Sequence, residues 1–260
     1  MMEFADLIQF VKSRYQIDLL NYKESRILKR TRLFMARRDI ADYGSLASYI
    51  AKRNNFDEFM QFHRIAVSYF LRDKTLFSSL ISHIQKHGKT SEVLADAGML
   101  SIGCSKGEEL FSLVFMLRNK KMNIPGRIRG IDSEISLLDC ARRGIWDKNS
   151  VREYDTFLRM YLDEHADGYR LKYKSGAGIE FMEFDIMKNS VDSLLPQYGL
   201  VMCRNFIIYL NEDYRDSFLA KISRLIKKEG LLFLGSSEYI HDPSCLGLEY
   251  IDHSIYRRVI

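Results

Sequence analysis

Residues 99–112, Met99-Leu100-Ser101-Ile102-Gly103-Cys104-Ser105-Lys106-Gly107-Glu108-Glu109-Leu110-Phe111-Ser112, read as a short apolar strand, a turn holding two glycines, and the opening of a helix. Glycine suits such a turn because a backbone without Cβ adopts left-handed torsions and lets a ligand approach the main chain. A plain strand-to-helix turn would carry the same pattern. A second apolar run, Arg127-Ile128-Arg129-Gly130-Ile131, ends at Asp132 and leads into a helical stretch with Ile135, Leu137, Leu138 and Ala141. An acid at the end of the second strand is where an α/β nucleotide-type site accepts hydrogen bonds from ribose hydroxyls. The same carboxylate would serve as a helix N-cap.

From Gly98 onward the pattern alternates between strands and helices, which predicts a mostly parallel sheet covered on both faces. Strands are expected at 99–102, 127–131, 199–203 and 230–234, and helices at 108–121, 133–142 and 212–227. Residues 169–174 alternate, 175–178 are turn-like and 179–184 alternate back, so a hairpin is expected there. Residues 248–251 and 254–259 read as a closing antiparallel pair. Upstream, helical spacing links Phe4, Leu7, Ile8, Val11 and Tyr15; then residues 20–38; then Tyr43, Leu46, Tyr49 and Ile50; then Phe56, Phe59, Met60 and His63. A helix with Leu76, Leu80, Ile81 and Ile84 follows, and the polar stretch 86–98 reads as the boundary of the α/β part. The expected cut lies near Asp73, giving a helical domain over 1–73 and an α/β domain over 74–260 with a β insertion at about 168–184.

With 260 residues, 47% hydrophobic content and only three prolines, the chain is expected to be ordered and to bury a substantial core. No apolar run reaches the roughly 20 residues that span a bilayer, and the start has no basic segment followed by an apolar one. A cytoplasmic chain without membrane insertion is expected. Cys104, Cys140, Cys203 and Cys245 are scattered and form no C-x-x-C pair, and His83 and His87 have no acidic or thiol cluster beside them. No metal is expected. The formal charge of +5 is modest, but residues 23–38 hold seven basic groups and one acid. Arg26, Lys29, Arg30 and Arg37 fall on one side of a helix, as either a solvated face or a docking surface for something acidic. No aromatics interleave with the stripe, which disfavours nucleic acid as the partner.

Four ordered blocks carry a resemblance: Ser68-Tyr69-Phe70-Leu71-Arg72-Asp73; Gly103-Cys104-Ser105-Lys106-Gly107-Glu108-Glu109; Gly130-Ile131-Asp132-Ser133-Glu134 with Ala141-Arg142-Arg143-Gly144-Ile145-Trp146; and Cys203-Arg204-Asn205-Phe206-Ile207-Ile208-Tyr209-Leu210. In this order they resemble the CheR family of chemotaxis receptor methyltransferases. Residues 22–30 resemble that family's first domain, so the likeness runs over nearly the whole chain. It implies a class I (Rossmann-like) S-adenosylmethionine methyltransferase domain, of the α/β class, with an N-terminal all-helical domain and a small inserted β hairpin subdomain.

The resemblance implies cofactor contacts from Ser68, Arg72, Gly103, Glu109, Asp132, Asp185, Ile186, Cys203, Arg204 and Asn205. It makes Arg72 and Tyr209 the catalytic pair, Arg72 as a guanidinium fork for a carboxylate and Tyr209 near the transferred methyl. It assigns Arg26, Lys29, Arg30 and Arg37 to docking of the substrate. Several positions depart from the family pattern: Ser68 for threonine, Leu71 for phenylalanine, Ala66 for asparagine, Lys106 for threonine, Leu110 for proline and Asp185 for asparagine. Ala66 removes a hydrogen-bonding group, which bears on cofactor affinity.

Methyl transfer from a sulfonium is an in-line displacement, so alignment is the main task. A glutamate side chain is ionised at neutral pH and needs no general base. The motif blocks contain no histidine, which fits carboxylate methylation. The expected function is O-methylation of glutamates on the cytoplasmic helices of membrane chemoreceptors, by a monomer, with S-adenosylhomocysteine as product. Two alternatives stay open: a cofactor-binding interaction module with weak turnover, and a methyltransferase for another protein or RNA.

Overall fold

Hydrophobic residues at helical spacing near the start, and at strand spacing beyond Gly98, sort the chain into two contact-defined units. The computed structural model describes residues 2–52, 54–63, 68–172 and 178–260. One unit comprises Met1–Val67 with Tyr209–Ser217, and the other Ser68–Ile208 with Phe218–Ile260. The sequence reading placed the cut near Asp73. The contacts place it at Ser68 and add residues 209–217 to the first unit, because Lys23 N donates to Tyr209 O (3.0 Å) and Asn211 N to Asn21 O (2.9 Å).

The first unit packs four helices, α1 (Phe4–Tyr15), α2 (Glu24–Arg37), α3 (Tyr43–Ile50) and α4 (Asn55–His63). Each buries one stripe: Leu7, Ile8 and Val11; Ile27, Thr31 and Phe34; Leu46, Ala47 and Ile50; Phe59 and His63. Phe34 is the hub, with Phe59 edge-on at 5.3 Å and Phe62 at 5.4 Å. His63 is held between Phe59 O (Nδ1, 2.8 Å) and the Thr31 hydroxyl (Nε2, 3.0 Å), as a neutral imidazole that donates from Nδ1 and accepts at Nε2 would be.

The second unit runs α5 (Lys74–Lys86), α6 (Gly88–Ala97), β1 (Met99–Ile102), α7 (Glu108–Asn119), β2 (Ile128–Asp132), α8 (Ile135–Arg143), β3 (Ile145–Asp147), α9 (Thr156–Arg159), β4 (Leu162–His165), β5 (Gly168–Leu171), β6 (Ile179–Glu183), β7 (Tyr198–Cys203), α10 (Glu212–Ser223, its first turns in the first unit), β8 (Ile226–Leu234), β9 (Leu248–Asp252) and β10 (Ile255–Arg258). Seven strands form one sheet in the order β6-β2-β1-β7-β8-β10-β9, parallel through β8 and antiparallel at β10 and β9. The chain leaves β1 to build both sides, so the strand order switches between β1 and β7. In such sheets ligands bind outside the carboxyl ends of the strands at that switch.

α7 is buried all round, from Leu110 to Leu117, as a helix covered on every side must be. Part of its cover is a second sheet, β3-β5-β4, which includes Trp146. Phe111 meets Trp146 at 5.1 Å, and Phe115 stacks on Tyr161 at 4.3 Å.

Three expectations need correction. The boundary stretch 86–98 contains α6, whose few apolar residues suffice because Leu94 and Ala97 face the core and Gly199 of β7 admits the helix closely. A Cβ at Gly199 would sit 2.5 Å from Leu94 Cα. The two alternating runs at 169–184 do not form a hairpin: β5 pairs antiparallel with β3 and β4, whereas β6 pairs parallel with β2 at the edge of the large sheet. Gly168 lets β5 approach β3, since a Cβ there would meet Trp146 O at 1.9 Å. The expected turn at 175–177 lies outside the described residues, as does Ala66. The helix expected to reach 227 ends at Ser223, and β8 begins at Ile226.

Burial, with Arg30 and Arg26 nearby, lowers the His63 pKa to about 4. The unfolded chain takes up this proton near pH 6.5, and the folded chain only near 4. Stability is therefore complete above about 6.5 and falls as the pH drops towards 4, by at most about 1.4 kcal/mol per pH unit. Denaturant titrations followed by far-UV circular dichroism should give His63→Gln a shallower loss than wild type between pH 6.5 and 4. Parallel curves would mean that His63 protonates equally in both states.

Candidate active site

The carboxyl ends of β1, β2, β6 and β7 carry the turns that the sequence singled out. After β1, Gly103, Ser105 and Gly107 all have positive φ (67°, 53° and 80°), and Gly107 opens α7. A Cβ at Gly107 would lie 3.0 Å from the Phe181 ring and 3.1 Å from Ala141 Cβ, so glycine serves both torsion and packing there. The Asp132 carboxylate, at the end of β2, accepts from Ser105 N (2.9 Å) and Glu134 N (3.1 Å), which fixes the glycine turn against the second strand. After β6, Asp185 accepts from Met187 N (2.9 Å), and Ile186 is buried.

Arg204, beyond β7, is the most heavily used of these side chains. Its guanidinium is 1% exposed and donates to Glu109 Oε2 (3.2 Å), Asp73 Oδ2 (3.0 Å) and Arg72 O (3.0 Å). Phe77 and Phe233 lie 4.6 and 5.0 Å from it as cation–π partners. Burial pushes the Glu109 carboxyl up, and Arg204 and the Ser101 hydroxyl pull it back. Arg204 thus ties the start of α7 to residues 72 and 73, and presents little of itself to a ligand. Cys203 is fully buried, and burial raises its thiol well above the ordinary range.

The segment before α5 is set from the other side. Phe70 N donates to Ser150 O (2.8 Å), and Leu71 N to the Ser112 hydroxyl (2.9 Å). The Ser150 hydroxyl donates to Glu108 (2.8 Å), a carboxylate with no solvent exposure whose pKa burial raises. Ser68 opens this segment, two residues before Phe70. Leu71 and Asp73 both have positive φ, so Arg72 sits between two left-handed residues. Its guanidinium is 5.8 Å from the Tyr69 ring. Lys106, the departure in the glycine turn, pairs with Asp147, and Trp146 Nε1 donates to Lys106 O (2.8 Å).

The second unit therefore brings Ser68, Arg72, Gly103, Glu109, Asp132, Asp185, Ile186, Cys203, Arg204 and Asn205 to the strand ends and their flanking segments. Tyr209 belongs to the first unit, where Arg26 lies 4.6 Å from its ring. Of the basic stripe, Lys29 and Arg37 are exposed, whereas Arg26 and Arg30 are half-buried and donate to the last carbonyls of α4, Arg26 to His63 O (2.6 Å) and Arg30 to Phe62 O. Two of the four docking candidates thus cap a helix C-terminus. Sequence reasoning did not single out Glu238. It is 4% exposed and accepts from Asn205 N (2.6 Å), Gly235 N (2.7 Å) and Ile208 N (3.3 Å). The sequence signal was an acid three residues after Gly235, directly beyond a strand.

Family models match two consecutive parts of the chain: the CheR methyltransferase all-alpha domain over residues 2–64, and the CheR methyltransferase SAM-binding domain over residues 66–249. The chain belongs to the CheR methyltransferase family. It is similar to the chemotaxis protein methyltransferase of Listeria monocytogenes, 26% identical over 260 residues that cover 98% of this chain and 96% of that one. The Borreliella burgdorferi protein of the same name is 25% identical over 271 residues, covering 98% and 94%. The Salmonella typhimurium one is 23% identical over 246 residues, covering 90% and 83%.

S-adenosylmethionine is the cofactor of this CheR-family domain, and the strand ends fit it. The left-handed glycine turn lies at the topological switch, with the Asp132 carboxylate at the end of β2 and Glu109 in the first turn of α7. Among the described residues, no group of three or more histidines, cysteines or acids could hold a metal, and no helix is long and apolar enough to cross a membrane.

Two outcomes test this geometry. Arg204→Met should destabilise the chain by about 3–5 kcal/mol, because Glu109 and Asp73 lose their common cation; a urea midpoint within error of wild type would exclude the tie. Asp132→Ala should weaken S-adenosylhomocysteine binding by about 1.5–3 kcal/mol, by losing charge-assisted hydrogen bonds and releasing Ser105. Unchanged affinity by calorimetry would remove Asp132 from the site.

Proposed function

We propose that this CheR-family methyltransferase acts in the cytoplasm and transfers methyl groups to glutamate side chains on the cytoplasmic helices of chemoreceptors, forming methyl esters. The observation that carries this reading is the make-up of the strand-end turns. They hold carboxylates, a guanidinium and main chain, and none of the chain's six histidines lies in them. An acceptor that is already a carboxylate needs no imidazole to remove a proton. The names of the relatives matched along nearly the whole chain support the same reading.

S-adenosylmethionine supplies a methyl made electrophilic by its sulfonium. The chain's own residues then have one task, alignment. Asp132 accepts from ribose hydroxyls, and Gly103 and Gly107 bring main chain close. Arg72 would hold a carboxylate with the planar fork of its guanidinium. Arg204, by holding Arg72 O and Asp73, keeps the base of that side chain fixed. No proton has to move, since carboxylate and sulfonium become ester and thioether. Lys29 and Arg37 serve as the exposed part of a surface for acidic receptor helices.

The direct experiment supplies tritiated cofactor and receptor-containing membranes and then treats the product with base. Esters release labelled methanol; label that survives base would mean N-methylation and would reject the carboxylate reading. Within this scheme Arg72→Lys and Arg72→Ala should each lower the methylation rate at least about tenfold with nearly unchanged melting temperature, because lysine cannot reproduce a bidentate fork. Full activity in the lysine variant would show that charge alone suffices.

A further inference from the structure

We propose that Glu238 is a positioning residue for the S-adenosylmethionine site, whose carboxylate fixes the turn at residues 204–208 against the glycine turn after β1. The pairing of β7 with β8 ends at Cys203 and Leu234. Everything beyond those residues must be held by something other than the ladder. Glu238 supplies it: Oε2 accepts from Asn205 N (2.6 Å) and Gly235 N (2.7 Å), and Oε1 from Ile208 N (3.3 Å). One carboxylate thus gathers amides from both strand-end turns. Asn205 sits at φ 56°, a left-handed torsion that asparagine tolerates better than most non-glycine residues.

Gly235 must be glycine for this arrangement, because a Cβ there would lie 2.8 Å from Glu238 Oε2 and 2.9 Å from Asn205 N. The turn's effect on the cofactor site runs through Phe206. Its ring lies 3.1 Å from where a Cβ on Gly103 would be, and it stacks on Phe218 at 5.1 Å. Phe206 therefore forms a wall over the first glycine of the cofactor turn. Glu238 fixes the residues on both sides of Phe206. Releasing the amides of Asn205 and Ile208 would free the wall while leaving the strands paired.

Glu238→Gln is the sharpest test, since it preserves size, keeps one acceptor and turns the other towards amide donors as an NH2. Hydrogen exchange should accelerate at least tenfold at the amides of Asn205 and Ile208 and stay unchanged at Val201 and Leu232. Calorimetry should show S-adenosylhomocysteine binding at least tenfold weaker, and Glu238→Asp, which keeps the charge, should recover part of it. A purely structural residue would lower the melting temperature without changing affinity at temperatures where the variant is folded. Wild-type affinity in Glu238→Gln overturns the proposal whatever its melting temperature. Failure of both variants to fold would also overturn it, by assigning the carboxylate to the fold itself.

Discussion

The buried guanidinium of Arg204 is the constraint on which the rest of the site depends. A cation with 1% exposure is tolerable only if its surroundings replace water, and here two carboxylates, a main-chain carbonyl and two aromatic rings do so. These replacements come from four pieces of chain: Glu109 from the start of α7, Asp73 and Phe77 from α5 and its N-cap, Arg72 O from the segment before it, and Phe233 from β8. The desolvation cost of one charge is therefore offset only when all four pieces are in place. That makes the relation of Arg72 to the glycine turn a property of the folded core and not of a surface loop.

The same logic runs on the other side of α7. Glu108 is fully buried next to Glu109, and the Ser150 hydroxyl satisfies one of its oxygens. Two adjacent acids at one helix start thus point to different partners, Glu109 to Arg204 and Glu108 to Ser150. A helix N-terminus favours negative charge, which eases both burials. Through Ser150, Trp146 and Asp147, the segment around β3 is connected to residues 106, 108 and 70. The small sheet accordingly braces the cofactor turn, besides covering the aromatic face of α7.

Much of this was legible in the residues. The strand–glycine–helix run at 99–112 and the acid at 132 located the turn and the second strand, because left-handed torsions favour glycine in the turn and the carboxylate at the end of the second strand accepts from the backbone of that turn. The helices of the first unit followed from apolar spacing. What stayed hidden were pieces whose partners are distant in sequence. β3 and β4 are three and four residues long and too short to show alternation, so Tyr169 and its neighbours were paired with the next alternating run and not with Trp146. α6 has a polar face and only a few core residues, so it looked like a linker. Glu238 carried no periodicity at all; its role depends on amides 33 and 30 residues away.

The basic helix shows why charge pattern alone underdetermines function. Arg26, Lys29, Arg30 and Arg37 share one side of α2, yet the structure splits them by reach. Arg26 and Arg30 are desolvated enough that burial lowers their pKa values, and both donate to carbonyls at the C-terminal end of α4, where cations offset the helix dipole. They hold the helical unit together, with Arg26 also over the ring of Tyr209. Lys29 and Arg37 keep their exposure, so any long-range attraction falls mainly on them and is screened by salt, whereas the half-buried pair is screened less. One stripe in the sequence is therefore two arrangements in the fold, a half-buried pair spent on the end of α4 and an exposed pair, Lys29 and Arg37.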